Sequence, residues 1–159
     1  ANLTFKEVDV NDMLDNVIAT FKLKVENFDG VINKDLKALQ SDITADEMHL
    51  TNVFFNLMDN AVKYRHPDRD LTLNVSTWNE KDMVVVCIRD NGVGIHKDHL
   101  KKVFDRFFRV PTGNVHNVKG FGLGLAYVKK IVENHNGTIR AESEFGNGTA
   151  FIIHLPLIK

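Results

Sequence analysis

A single cysteine, Cys87, stands in 159 residues. That scarcity excludes an internal disulfide framework and a zinc centre built on several cysteines. Cys87 lies inside the apolar run MVVVCIR (83–89), where a small buried hydrophobe is expected. No apolar stretch approaches the roughly 18 residues that a membrane-spanning helix needs, and no signal peptide is visible. Neither sign of charge dominates: the formal net charge is −1. Bulk attraction to nucleic acid or to an anionic membrane is therefore not expected, and any phosphate recognition needs a local site. The chain also lacks the P-loop pattern G-x-x-x-x-G-K-[ST], and its glycine-rich segment does not fit the dinucleotide pattern G-x-G-x-x-G. It begins without methionine and reads as a piece of something longer.

What is present has a regular rhythm. Residues 11–28 place Leu14, Val17, Ile18, Phe21 and Val25 at helical spacing. A second helix is expected over 46–64, with Thr44 and Glu47 as a capping box ahead of it. A third is expected over 97–108, and a fourth over 123–135, ending where Asn136 and Gly137 suit a helix C-terminus. Alternation in LTLNVSTW (71–78) and the β-branched run DMVVVCIRD (82–90) predict a hairpin through NEK. GTIRAESEF and GTAFIIHLPL predict another around GNG, and TFKEVDV, VINKDL and SDIT are shorter strand candidates. Tight turns between most neighbouring strands favour an α+β fold: a two-layer sandwich, its mixed, mostly antiparallel sheet covered by helices on one face. One domain is expected over 1–159.

The second helix carries unusual polarity. Leu50, Val53, Phe54, Leu57 and Ala61 form an apolar stripe, flanked by Asn56, Asn60 and Lys63 on one face. Asparagine gains nothing in propensity from such positions. Amide oxygens ligate hard cations and an ammonium neutralises phosphate, so a magnesium ion that borrows phosphate ligands would suit this face. A solvated face is the plainer alternative.

Three further segments stand out. DNGVGI (90–95) ends the central strand, where Asp90 could accept a hydrogen bond from a ligand amine such as that of adenine. Gly92 and Gly94 permit close backbone approach or positive φ. GFGLGLAYVKK (120–130) sets Gly120, Gly122 and Gly124 at a helix start, where free amides attract anionic oxygens. Between them, Phe104, Phe107 and Phe108 follow helical spacing, while residues 110–119 have little to anchor them and read as a mobile lid.

Together these segments resemble the catalytic, ATP-binding domain of bacterial sensor histidine kinases, a branch of the GHKL ATPase/kinase superfamily. NLMDNAVKY (56–64) resembles the family's N box, DNGVGI (90–95) its G1 box, FDRFFR (104–109) its F box and GFGLGL (120–125) its G2 box. GNGT (146–149) resembles the terminal glycine motif. Five motifs in the family's order span nearly the whole chain.

The resemblance implies that Mg–ATP binds here. Asn60 would coordinate magnesium, with Asn56 assisting at metal or phosphate; Lys63 and Arg109 would contact phosphate, completing the catalytic set. Tyr64 would pack against the base and Asp90 would accept from the adenine amine, in a pocket shaped by Gly92, Gly94 and Ile95. Phe104 would anchor the front of the lid. Gly120, Phe121, Gly122, Leu123, Gly124 and Leu125 would line its phosphate side, with Thr149 also on the nucleotide.

Superfamily members that hydrolyse ATP usually carry a water-activating glutamate at the place of Asn56. An amide is no general base, which favours phosphoryl transfer over hydrolysis. None of the seven histidines sits in the family's phosphoacceptor context. The chain therefore reads as a phosphoryl donor whose acceptor histidine lies on separate dimerisation helices of the same full-length kinase, with a response-regulator receiver domain downstream. The resemblance further implies a cytoplasmic, monomeric domain, and leaves open whether the full-length protein is anchored in the bacterial inner membrane. The alternatives are a GHKL-type ATPase and a non-catalytic ATP-binding regulator.

Overall fold

The structure, a computed structural model, describes residues 2–106, 108 and 124–159. Among the described residues the elements follow in the order β1 (Lys6–Asp9), α1 (Val10–Glu26), β2 (Val31–Leu36), β3 (Asp42–Ala45), α2 (Glu47–Lys63), β4 (Thr72–Glu80), β5 (Met83–Asp90), α3 (Lys97–Leu100), α4 (Leu125–Asn134), β6 (Thr138–Glu144) and β7 (Gly148–Pro156). The main sheet has the strand order β2-β4-β5-β7-β6, and β1 pairs with β3 in a small antiparallel ribbon. Only the β2–β4 pairing is parallel. The expected two-layer α+β sandwich with a mixed, mostly antiparallel sheet is what forms.

The layer arrangement follows from alternation along the strands. Leu73 and Val75 of β4, Val84, Val86 and Ile88 of β5, and Phe151, Ile153 and Leu155 of β7 join the main core beneath the helices. The intervening Val85, Cys87, Ala150 and Ile152 form a small second cluster with Trp78. Cys87 is thus the buried hydrophobe its context suggested, and burial raises its thiol pKa. Helix α2 lies centrally, its stripe of Leu50, Val53, Phe54, Leu57 and Ala61 at most 1% exposed.

Local chemistry explains the element boundaries. Helix α2 is capped by Asp46, whose carboxylate accepts from the His49 amide at 2.9 Å. The expected Thr44–Glu47 capping box does not form, because Thr44 is committed to the β1–β3 ribbon. The helix stops at Tyr64, three residues before Pro67. At the end of α4, Asn136 adopts φ 59°, and the Asn136 and Gly137 amides donate back to Glu133 and Val132 carbonyls, a Schellman closure. The β4–β5 turn falls on Lys81 and Asp82, with Lys81 at φ 53°, two residues beyond the start of the expected NEK turn.

One expected helix is much shorter than its pattern. Among the described residues of 97–108, α3, Lys97–Leu100, is followed by turns through Arg106. Val103 and Phe104 still reach the core, so their apolar spacing reflects packing of successive turns rather than continuous helix.

Candidate functional site

The N-box helix, the end of β5 and the start of β7 converge on a small pocket. Its walls are Asn60, Tyr64, Asp90, Gly94, Ile95, Thr149 and Phe151. Asn60 is buried on α2, and Tyr64 is half-buried where the helix ends. Ile95, Thr149 and Phe151 are buried as well, so the pocket is mostly apolar with a few directed polar groups.

Asp90 is its electrostatic centre. Oδ1 accepts from the Gly92 amide at 2.8 Å and from the Thr149 amide at 3.3 Å. Both bonds fall on one oxygen, which leaves Oδ2 to accept from a ligand. Burial pushes the Asp90 carboxyl up to about 6, against the opposing pull of the two amides and of Arg89 and Arg69. The turn around it is tightly fitted. Gly94 has φ 73°, and a Cβ there would collide with the Glu144 carbonyl. The Val93 amide donates to the Tyr64 carbonyl at 2.9 Å, joining the G1 turn to the end of α2. On the far side, Ser143 Oγ accepts from the Ile95 amide at 2.7 Å, donates to the Gly148 carbonyl at 2.8 Å and lies 2.9 Å from Thr149 Oγ1.

The sequence profile described as "Histidine kinase-, DNA gyrase B-, and HSP90-like ATPase" matches residues 45–159, the span that builds this pocket. The chain belongs to that family. Among curated relatives, the sensor protein RprX of Bacteroides fragilis (strain YCH46) is 62% identical over all 159 residues. The chain spans 31% of the length of that relative. Among solved structures, the mycobacterial sensor histidine kinase MprB superposes with a TM-score of 0.78 at 27% identity, over 95% of this chain and 97% of that one. Full-length ShkA in complex with AMPPNP superposes with a TM-score of 0.81 at 25% identity, over 98% of this chain and 32% of that one.

Of the expected site residues, Asn60, Tyr64, Asp90, Gly94, Ile95 and Thr149 line this pocket together. Gly92 stands behind Asp90 and acts through its amide. Asn56, one turn before Asn60 on α2, is half-buried and outside the pocket wall. Lys63 is half-exposed and pairs with Asp59 at 2.9 Å. Asp59 also receives Lys24 of α1 at 2.9 Å; burial opposes its ionisation, but the two ammonium groups outweigh that and hold its carboxyl below the usual range. Phe104 packs on the core, with Lys129 Nζ 5.8 Å from its ring centroid. Gly124 opens α4 at φ 67°, and Leu125 turns into the core at 1% exposure. The expected lid, 110–119, together with Phe107, Arg109, Gly120, Phe121, Gly122 and Leu123, lies outside the described residues.

Three residues of the site carry no distinctive local sequence signal. Phe151 sits within an uninterrupted apolar strand, Ser143 within an ordinary alternating one, and Arg69 within the loop RHPDRD. Arg69 is the most connected: its guanidinium donates to the carbonyls of Asn91, Gly92 and Gly146.

Proposed function

We propose that this chain is the ATP-binding catalytic domain of a sensor histidine kinase, donating the γ-phosphate of ATP to a histidine on a separate dimerisation domain. The observation that carries the reading is the half-buried Asp90 carboxylate, pinned through one oxygen, in an apolar pocket walled on its other side by Asn60 of the N-box helix. Such a site suits a flat base bearing an exocyclic amine. Tyr64, Ile95 and Phe151 enclose the adenine ring, Asp90 accepts from its amine, and the triphosphate runs towards Asn60, Asn56 and Lys63.

The residues present fit a magnesium ion that arrives with the nucleotide. Among the described residues, no group of three or more His, Cys, Asp or Glu side chains is placed to cage a metal alone. The buried Asn60 carboxamide is instead a hard, neutral oxygen donor, suited to an ion that keeps phosphate and water ligands. When bound, that ion would neutralise charge on the triphosphate. Asn60, assisted by Asn56, would hold it, and Lys63 would leave Asp59 to meet phosphate.

In the transfer step, the acceptor imidazole nitrogen forms a bond to the γ-phosphorus while the bond to the bridging oxygen of ADP breaks. Positioning and charge neutralisation supply most of the rate in such reactions. Asn56 offers no base to activate water, which favours transfer over hydrolysis. Arg109 and residues 120–125 would complete the phosphate side, as the resemblance implies. The phosphohistidine would then pass its phosphoryl group to a response-regulator receiver domain, as the resemblance implies; the sensor-protein relative supports the sensor setting, and the ShkA complex with AMPPNP supports a nucleotide site. Among the described residues no helix is long and apolar enough to cross a membrane, in keeping with a cytoplasmic domain of a longer kinase.

The test is phosphoryl transfer in trans. Radiolabel from γ-labelled ATP is expected on an added dimerisation hairpin of the same full-length kinase, and to vanish when the acceptor histidine is replaced. ATP binding without transfer would favour a regulatory module; steady phosphate release without labelled hairpin would favour an ATPase.

A further inference from the structure

Arg69 lies outside every motif the fold's resemblance assigns, in the loop between α2 and β4, yet it bridges three turns of the site. Nε donates to the Asn91 carbonyl at 2.7 Å, and one terminal nitrogen donates to the Gly92 carbonyl at 3.0 Å and to that of Gly146.

These acceptors have partners at their far ends. A peptide group is planar and rigid, so fixing its carbonyl also fixes the direction of its N–H. The carbonyl of Asn91 and the amide of Gly92 belong to one peptide: Arg69 takes the oxygen and Asp90 Oδ1 takes the N–H at 2.8 Å. The carbonyl of Gly92 and the amide of Val93 belong to the next: Arg69 takes the oxygen and the Tyr64 carbonyl takes the N–H at 2.9 Å. The third acceptor, Gly146, returns its own amide to the Val93 carbonyl at 2.6 Å. A planar guanidinium with a fixed fork of donors suits this task, and a lysine ammonium does not.

We propose that Arg69 is a positioning residue for base selection, setting the Asn91–Gly92 and Gly92–Val93 peptides so that the Asp90 carboxylate and the Tyr64 wall are held in register with a ligand amine. The inference rests on the reading of Asp90 as the adenine acceptor. Arg69 does not itself touch the nucleotide. Its positive charge acts in the same direction, since it is among the groups that oppose the rise of the Asp90 pKa.

The experiment titrates the chain and its Arg69→Gln variant at neutral pH with magnesium ATP and magnesium inosine triphosphate, which carries a carbonyl in place of the amine. The unaltered chain is expected to prefer ATP. Arg69→Gln is expected to weaken ATP about tenfold, in line with disturbance of one charge-assisted hydrogen bond, while inosine triphosphate changes little. A merely structural role would weaken both nucleotides alike, so an unchanged ratio between them overturns the proposal. Arg69→Lys keeps the charge without the fork, is expected to narrow the preference too, and carries the same comparison if Arg69→Gln does not fold. If the unaltered chain shows no preference for ATP, the reading of Asp90 fails first and the Arg69 assignment falls with it.

Discussion

The backbone amide of Gly92 donates to Oδ1 of Asp90 at 2.8 Å, two residues along the same turn. The two positions constrain each other. A Cβ at Gly92 would collide with the Tyr64 carbonyl and reach Asp90 Oδ1, while loss of the carboxylate would leave the turn without its internal acceptor. The bond joins the backbone that shapes the pocket to an acidic side chain lining it.

Asp90 therefore sets a trade between binding and stability. Its folded pKa, about 6, lies above the ordinary 3.8. The folded protein holds the proton more tightly than the unfolded chain, so this contribution is complete below 3.8 and is lost as pH rises through about 6. At about 1.4 kcal/mol per pKa unit, the loss is on the order of 3 kcal/mol. Asp90→Asn keeps an acceptor oxygen and removes the partly desolvated charge. Urea unfolding is expected to show it about 1–3 kcal/mol more stable than the unaltered chain at about pH 8, with little difference near pH 4. ATP binding is expected to fall at least about tenfold. A variant that is less stable at the higher pH would contradict this reading of the site.

Gly94 tests the fit of the G1 turn. Its φ of 73° and the nearby Glu144 carbonyl both resist a side chain. Gly94→Ala is expected to lose about 1–3 kcal/mol in urea unfolding, from left-handed strain and local crowding. Gly124, also at positive φ but with nothing near its missing Cβ, is expected to lose only about 1–2 kcal/mol on the same substitution.

Lys63 pairs with Asp59, which also holds Lys24. Asp59→Asn is expected to free Lys63 for phosphate and to tighten ATP binding about two- to fivefold, at a stability cost below about 1 kcal/mol for half-exposed ion pairs. The gain should shrink as salt rises. Weaker binding at low salt would mean that Asp59 positions Lys63 rather than competing with the triphosphate for it.

Much of this was legible in the sequence because it rests on periodicity or on side chains in fixed local patterns. The stripe from Leu50 to Ala61, the β-branched β5 and the Asn136–Gly137 helix stop all formed where expected. The meeting of Asn60 with Asp90 was implied by the motif resemblance rather than by periodicity, and both line the pocket. What escaped depends on contacts that leave no local trace. Among the described residues Arg69 donates to backbone carbonyls 22 to 77 residues away in sequence. Phe151 looks like any core strand residue. The capping box at Thr44 yielded to strand pairing, and the helix expected over 97–108 yielded to turns whose aromatics pack just as a helix face would.

The most direct test of the central claim is a calorimetric titration of this chain with AMPPNP, with and without Mg²⁺, repeated on Asn60→Ala. The account predicts binding that magnesium strengthens in the unaltered chain, and loss of that strengthening in the variant. Binding that is equal with and without magnesium, or equal in the two proteins, would contradict the placement of a metal-bound triphosphate against the N-box helix.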